Sequence, residues 1–470
     1  MSKGKLLACL VGAGVSCLLA VAARSAEETY NVTTVIPVPG GLTSFDIAFV
    51  DANINTLVLA DRTNKAIDVV DTSTNTLVKQ LTASPPFRGV FNPGGLANAS
   101  GPNGVIIVDQ REVWATDAPV LNCSGTPQVC TVVTPSSIKV IDLNTGAMIA
   151  NIPNGGARRA DELCEDVKHE VVLSANDDPV DNFLTFINTE TYSIIGTNHK
   201  LDGSDPNFKI TLTPTPPGTI SVAADGIEQC KFNPRTGSYY LAIPATVVTT
   251  ATGTQAGPGV ILKISRKAPF HIEETITIPA STGCTGPQGL AVGPRHQIQL
   301  GCGGSSTASI IIDDRSGPVA TVIATETGEG GADEVWYNPG DNSYFIARSA
   351  AAKLGVVDAG PPPQADADVA TTVGSHVVAA DMLKNQIYVP VRANTVAGTC
   401  TTPGCATLCG PAGSTAAASG CIAVLTAPND DKCLAQGMPV LDHDDSDDPV
   451  FMRTRCRDHD DDDHDREARR

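Results

Sequence analysis

Aromatic side chains make up only 4% of the 470 residues, and 32 Lys and Arg stand against 51 Asp and Glu, a formal net charge of −19. That balance argues against a nucleic-acid backbone or an anionic membrane surface as partner. No helical hydrophobic period of useful length recurs, and no apolar run after residue 26 approaches the length that spans a bilayer. The chain also lacks His-Glu-x-x-His, a phosphate-cradling loop, a Gly-x-Ser-x-Gly elbow, a dinucleotide Gly-x-Gly-x-x-Gly and Cys-x-x-Cys-His. Zinc-protease, covalent-serine, nucleotide and attached-haem chemistry therefore have no foothold, and neither haem nor nucleotide is expected as cofactor.

What the chain does contain is a repeated sentence. Gly330-Gly331-Ala332-Asp333-Glu334-Val335-Trp336-Tyr337-Asn338-Pro339 gives a glycine lead-in, an apolar run and an Asn-Pro turn, and a second apolar run ends at Ala347. Aligned on the turn, related copies centre on residues 46, 103, 161, 228, 288, 333 and 376. A third strand follows in each, as in Ile67-Asp68-Val69-Val70-Asp71 and Ile138-Lys139-Val140-Ile141-Asp142, then a Thr/Asn/Gly turn and a fourth strand. Four short antiparallel strands repeated every roughly 45 to 65 residues are the pattern of a propeller blade. The fold class expected is all-β, a seven-bladed β-propeller. Blade seven has no fourth strand in its tail, and the orphan strand Thr29–Val38 is expected to complete it, removing both free edges.

Residues 1–26 read as a secretion signal, with Lys3 and Lys5 ahead of an apolar run and small residues after it. Residues 27–433 form the propeller and 434–470 an Asp/His-rich tail expected to be disordered by self-repulsion. Removing Cys9 and Cys17 leaves twelve cysteines, an even number that suits a periplasmic or secreted protein. Cys123–Cys130 and Cys284–Cys302 each flank a loop within one blade and are expected to be bonded, and Cys433–Cys456 would bracket part of the tail. The group Cys400, Cys405, Cys409 and Cys421 reads as disulfide chemistry ahead of zinc, since its spacings are irregular and no His lies nearby. Insertions at 117–135, 203–218 and 393–420 read as loops.

The Val-Ile-Asp-x-x-Thr/Asn unit, the Gly286-Pro287-Gln288-Gly289-Leu290-Ala291 lead-in and the apolar strand after Asn-Pro resemble the YncE/YVTN-type seven-bladed propellers, over nearly all of the chain to about Thr426. The resemblance implies an exported protein of that fold, more firmly than any activity. Blade two, the cysteine-bearing insertions and the Asp/His tail depart from it. A more distant likeness is to gluconolactonase-type propellers, in which Glu, Asn and Asp around the channel hold a divalent metal; those have six blades, and their motifs do not map here residue by residue.

In a propeller the innermost strand lines the central channel, so the repeat gathers Asp46, Asn103, Asp161, Glu228, Gln288, Asp333 and His376 at one mouth, with Glu162 and Glu334 one step further along. The ends of the second strands should bring Asp61, Arg62, Asn176, Asp177, Asp178, Arg348 and Arg392 around it. Two readings follow. The carboxylates either tie blade to blade through hydrogen bonds, or form a binding mouth for a small molecule, a metal or a partner's loop. A divalent metal (Ca, Mg or Zn) would take Asp161, Glu228, Asp333 and His376 as ligands. The arginines would clamp an anionic group opposite the acids. A metal-dependent, lactonase-like hydrolase with a carboxylate or His376 as general base is the alternative to a binding protein, so whether the chain is an enzyme stays open.

Overall fold

The computed structural model describes residues 29–92, 99–126, 128–178, 181–213, 219–222, 226–250, 253–393, 408–409, 419–426, 440–441 and 454–455. The segment expected to be a secretion signal, Cys400, Cys405, Cys433, Cys456 and nearly all of the tail lie outside them.

Seven antiparallel sheets follow one another along the chain. Blade one runs Ala48–Asp51, Thr56–Asp61, Ala66–Asp71 and Thr76–Leu81 from the inside outwards, and the next five repeat that order. The fourth strand is the least regular. In blade three it shrinks to His199–Lys200, and in blade six it breaks into Gln364–Ala365 and Val369–Ala370. Blade seven takes three strands from the end of the repeat (Ala379–Asp381, Gln386–Val391, Cys421–Thr426) and its fourth, Asn31–Pro37, from the beginning. The expected closure is therefore present.

The ring holds because successive side chains of a strand point to opposite faces of its sheet. In the second strand of blade one, Leu57 and Leu59 pack with blade seven while Val58 and Ala60 pack with blade two. All seven hydrophobic clusters are built this way, each between two neighbouring blades, the last joining seven to one. Large buried tyrosines complete the seams with polar ends: Tyr239 donates to Val171 O (2.9 Å), Tyr240 to Asp314 O (2.8 Å) and Tyr344 to Gln297 Oε1 (3.0 Å), each across a blade boundary.

The expected Cys123–Cys130 and Cys284–Cys302 disulfides are formed. Two more join Cys164 to Cys230, from the innermost strands of blades three and four, and Cys409 to Cys421. The insertion at 117–135 is more ordered than a loop: Val120–Ser124 pairs with Val129–Thr134 in a hairpin carrying the first disulfide. Beside blade four, Thr219–Val222, Thr246–Thr250 and Gly253–Gly257 form a small accessory sheet.

Candidate functional site at the channel mouth

The residues aligned by sequence occupy equivalent places. In four blades the aligned residue's N–H donates to a second-strand carbonyl, and that second-strand residue's N–H returns to the carbonyl of the next residue. Asp46 and Ile47 do this with Ala60, Asn103 and Gly104 with Thr116, Glu228 and Gln229 with Ala242, and Asp333 and Glu334 with Ala347. In blades three and five the pairing register slips here, between Ala160 and Leu163 and between Pro287 and Leu290. A bulge turns two consecutive residues out of the ladder, so both Asp161 and Glu162 reach the channel. The glycines of the Gly-Pro-x-Gly lead-ins are required by crowding: a Cβ on Gly104 would lie 2.0 Å from Asp161 O, and one on Gly289 would lie 2.1 Å from Asp333 O.

Asp46, Asp161, Glu162, Glu228, Gln288, Asp333, Glu334, Arg62 and His376 line one cavity of about 280 Å³, together with Ile47, Arg159 and Ser349. Arg159 was not among the residues expected there. It sits two positions before Asp161, at the lead-in to blade three, and its guanidinium is the hub of the mouth: 2.8 Å from Asp161, 3.0 Å from Asp177 and 3.7 Å from Asp46. Arg62 reaches from blade one to Asp46 and to Asn103 Oδ1 of blade two, and Asn103 Nδ2 donates to Ala160 O of blade three at 2.8 Å. Asn103 and Asp177 thus stand behind the arginines, outside the cavity wall. Asn176 is fully buried in a polar cluster, accepting from Ser136 Oγ at 3.1 Å.

Two arginines expected at the mouth face elsewhere. Arg348 is held by Glu329 (3.1 Å) and Asp368 (3.0 Å) of its own blade, and Arg392 Nε donates to Thr43 O (2.7 Å). A second-strand end lies a strand's width out from the channel, and only Arg62 finds acceptors inward.

The charges divide the mouth in two. Burial would raise the Asp46 carboxyl, but Arg62, a hydrogen bond from His376 and Arg159 outweigh it and hold Asp46 well below the usual carboxylate range. Burial would lower His376, yet its bond to Asp46 and the charges of Asp333 and Asp46 raise it. Its ring nitrogens face only acceptors, Nδ1 the Gly374 carbonyl at 2.8 Å and Nε2 the Asp46 carboxylate at 3.2 Å, so both donate and the ring is an imidazolium. Phe45 stacks on it at 5.1 Å.

The other half has no such partners. Glu228 and Asp333 are half-buried and, among the described residues, neither forms an ion pair; the nearest polar contact of Glu228 is Gln288 Nε2 at 3.5 Å. Burial pushes both upward; His376, Arg159 and Arg62 pull Asp333 back only in part, and repulsion from Asp333, Asp161 and Asp177 adds to the rise of Glu228. Below them Glu162 and Glu334, from blades three and six, hydrogen-bond each other. Burial and the neighbouring carboxyl raise Glu162 far above its usual value; burial raises Glu334 to about 7 against the pull of Lys231 and the bond from Glu162. Two carboxyls this close resist ionising together. Gln229 fixes Glu334 from the side (2.6 Å) and accepts the Leu290 N–H (2.6 Å).

Asp161, Glu228, Asp333 and His376 share this cavity, but no group of three or more His, Cys, Asp or Glu side chains among the described residues is arranged to hold a metal ion. Asp161 is taken up by Arg159, and an imidazolium has no lone pair to offer a metal.

No family model and no curated protein matches the chain. Solved structures do: the WD40 repeats of RRP9 (7% identity, 85% of this chain and 100% of that one, TM-score 0.52), U3-55K (7%, 85% and 100%, TM-score 0.50) and a chain of a mitotic checkpoint complex (10%, 82% and 95%, TM-score 0.50). At such identities the likeness shows the seven-bladed propeller and nothing of the site.

Proposed function

We propose that this chain is an exported binding propeller whose channel mouth receives the positively charged end of a small ligand, an ammonium or amidinium group seated against Glu228 and Asp333. The observation that carries the reading is the division of the mouth. Arg62, Arg159 and His376 hold Asp46 low and Arg159 pairs with Asp161, whereas Glu228 and Asp333 face the cavity with no ion pair among the described residues. Burial raises both against the more distant pull of the cations, beside the close carboxyl pair of Glu162 and Glu334. A cation entering there relieves repulsion already present. A doubly donating His376 has no lone pair with which to take a proton, which favours binding over hydrolysis.

Export is supported by the residues of the N-terminal segment, by the resemblance to YncE/YVTN-type propellers and by four disulfides, which belong in an oxidising compartment. Among the described residues no helix is long and apolar enough to cross a membrane.

The test is calorimetric titration and thermal shift with diamines, guanidines and Ca²⁺, Mg²⁺ or Zn²⁺, on the mature chain ending at Ala427 so that the Asp/His tail cannot bind cations. Saturable binding of an organic cation, abolished by Glu228→Gln with Asp333→Asn, is expected. Metal binding alone, or cation binding that survives the double variant, overturns the assignment.

A further inference from the structure

On the face of the ring opposite the mouth, blade four carries a second cavity of about 510 Å³ between its inner turn and its outer turn, lined by Arg235, Arg266, Lys267, His271, Glu273 and small residues. The cations outnumber the acid, and the acid is occupied: Glu273 accepts Ser238 Oγ at 2.7 Å and lies 4.0 Å from Lys263. Arg235 is paired to Asp314 at 3.2 Å, whereas Arg266 and Lys267 form no ion pair among the described residues, and Lys267 is exposed. Two unpaired cations at the rim of a concave site, in a protein of net charge −19, call for an anionic occupant.

The chain supplies one. In each blade the first and third strands run parallel, both antiparallel to the second, so the third strand of blade seven leaves the ring at Thr426 on the face that carries the turns at 233–238 and 265–271. Beyond it the sequence holds two acidic runs, Asp442–Asp448 and Asp458–Asp465. With strands ~4.8 Å apart, a ring of four-stranded blades is roughly 50 Å across. Val440–Leu441 pairs with Thr454–Arg455, so the tether runs from Thr426 to Val440 and on from Arg455 to Asp458, about 60 Å when extended, and the second run still reaches across that face.

We infer that the Asp458–Asp465 run docks, within the same molecule, on the basic cavity formed by Arg266, Lys267, Arg235 and His271 of blade four. Docking there sets the tail's carboxylates against Arg266 and Lys267 and keeps them away from the cation-seeking mouth on the other face.

The test is carbodiimide cross-linking of the full mature chain at low protein concentration, followed by peptide mapping. The expected product is an intramolecular amide between Lys267 Nζ and an Asp of the 458–465 run, lost with Arg266→Glu and at 1 M salt, where exposed pairs are screened. Amine acetylation of Lys267 should be slower in the full chain than in the chain ending at Ala427. No such link, a link found only between two molecules, a link unchanged by Arg266→Glu, or equal acetylation in both chains overturns the inference.

Discussion

Arg159 and Asp161 lie two apart on one innermost strand and close a 2.8 Å ion pair over the channel, with Asp177 drawn in at 3.0 Å from the neighbouring strand. The pair is nearly dry, and breaking a buried ion pair from one side leaves its partner's charge uncompensated. Arg159→Met should therefore destabilise the propeller by about 3–5 kcal/mol. Chemical denaturation checks this; a loss below about 1 kcal/mol, the worth of an exposed pair, would show that Arg159 is no hub.

The opposite sign is expected across the mouth. Asp333→Asn and Glu228→Gln each remove a charge that burial disfavours, with repulsion from neighbouring carboxylates adding at Glu228, so each should raise the melting temperature of the ligand-free chain by ~1–2 °C. If instead both lower it, these two carboxylates are ties between blades and the binding reading of the mouth fails.

The carboxyl pair sets a pH dependence. Glu334 in the folded ring titrates near 7, above its unfolded value of 4.5, so the folded state holds the extra proton. Its contribution is present in full below about pH 4.5 and is lost as pH rises through 7, with His376 acting in the same direction. Glu334→Gln should flatten the stability profile between pH 5 and 8, removing at most ~3 kcal/mol of slope. An unchanged profile would mean that Glu334 does not carry it.

Cys164–Cys230 joins innermost strands of adjacent blades across a sequence separation of 66. Replacing both with Ser should cost up to about 4 kcal/mol on loop-closure grounds. The shorter Cys123–Cys130 bridge, in the exposed hairpin, should cost far less, and guanidinium unfolding of the two variants compares them directly.

A chain beginning at Gly40 lacks the closing strand and leaves the edge of Cys421–Thr426 open. It should unfold at lower temperature and associate in size-exclusion chromatography. Monomeric behaviour with an unchanged melting temperature would remove closure as the source of stability.

Much of this was legible because a propeller writes itself locally. The Asn-Pro turns, the period-two strands and the glycines within two residues of most aligned positions all answer to contacts within one blade or with the next, and they placed Asp46, Asp161, Glu228, Gln288, Asp333 and His376 in one cavity. The pairing of charges was not legible, because it depends on which way long side chains turn. Arg62 stands two residues after Ala60 while Arg348 stands one after its counterpart Ala347, so Ser349 takes the place of Arg62 at the cavity and Glu329 and Asp368 hold Arg348 outside the mouth. Arg159 lies outside the second-strand ends where the repeat points to arginines, though Arg158-Arg159 just ahead of Ala160 and the aligned Asp161 is visible in the sequence. Cys164 and Cys230 also carried a signal, standing three and two residues after aligned positions of successive blades, where neighbouring innermost strands meet.

The closing seam also orders events in time. Thr33 donates to the carbonyl of Val424, 391 positions later, so the first residues of the ring find their partners only once nearly all the others exist. A chain emerging from a ribosome or a membrane pore in sequence order must carry its opening strand unpartnered until the seventh blade arrives. Six blades can stack in the meantime, but none is sealed, and resistance to proteases should be acquired in a single late step instead of blade by blade.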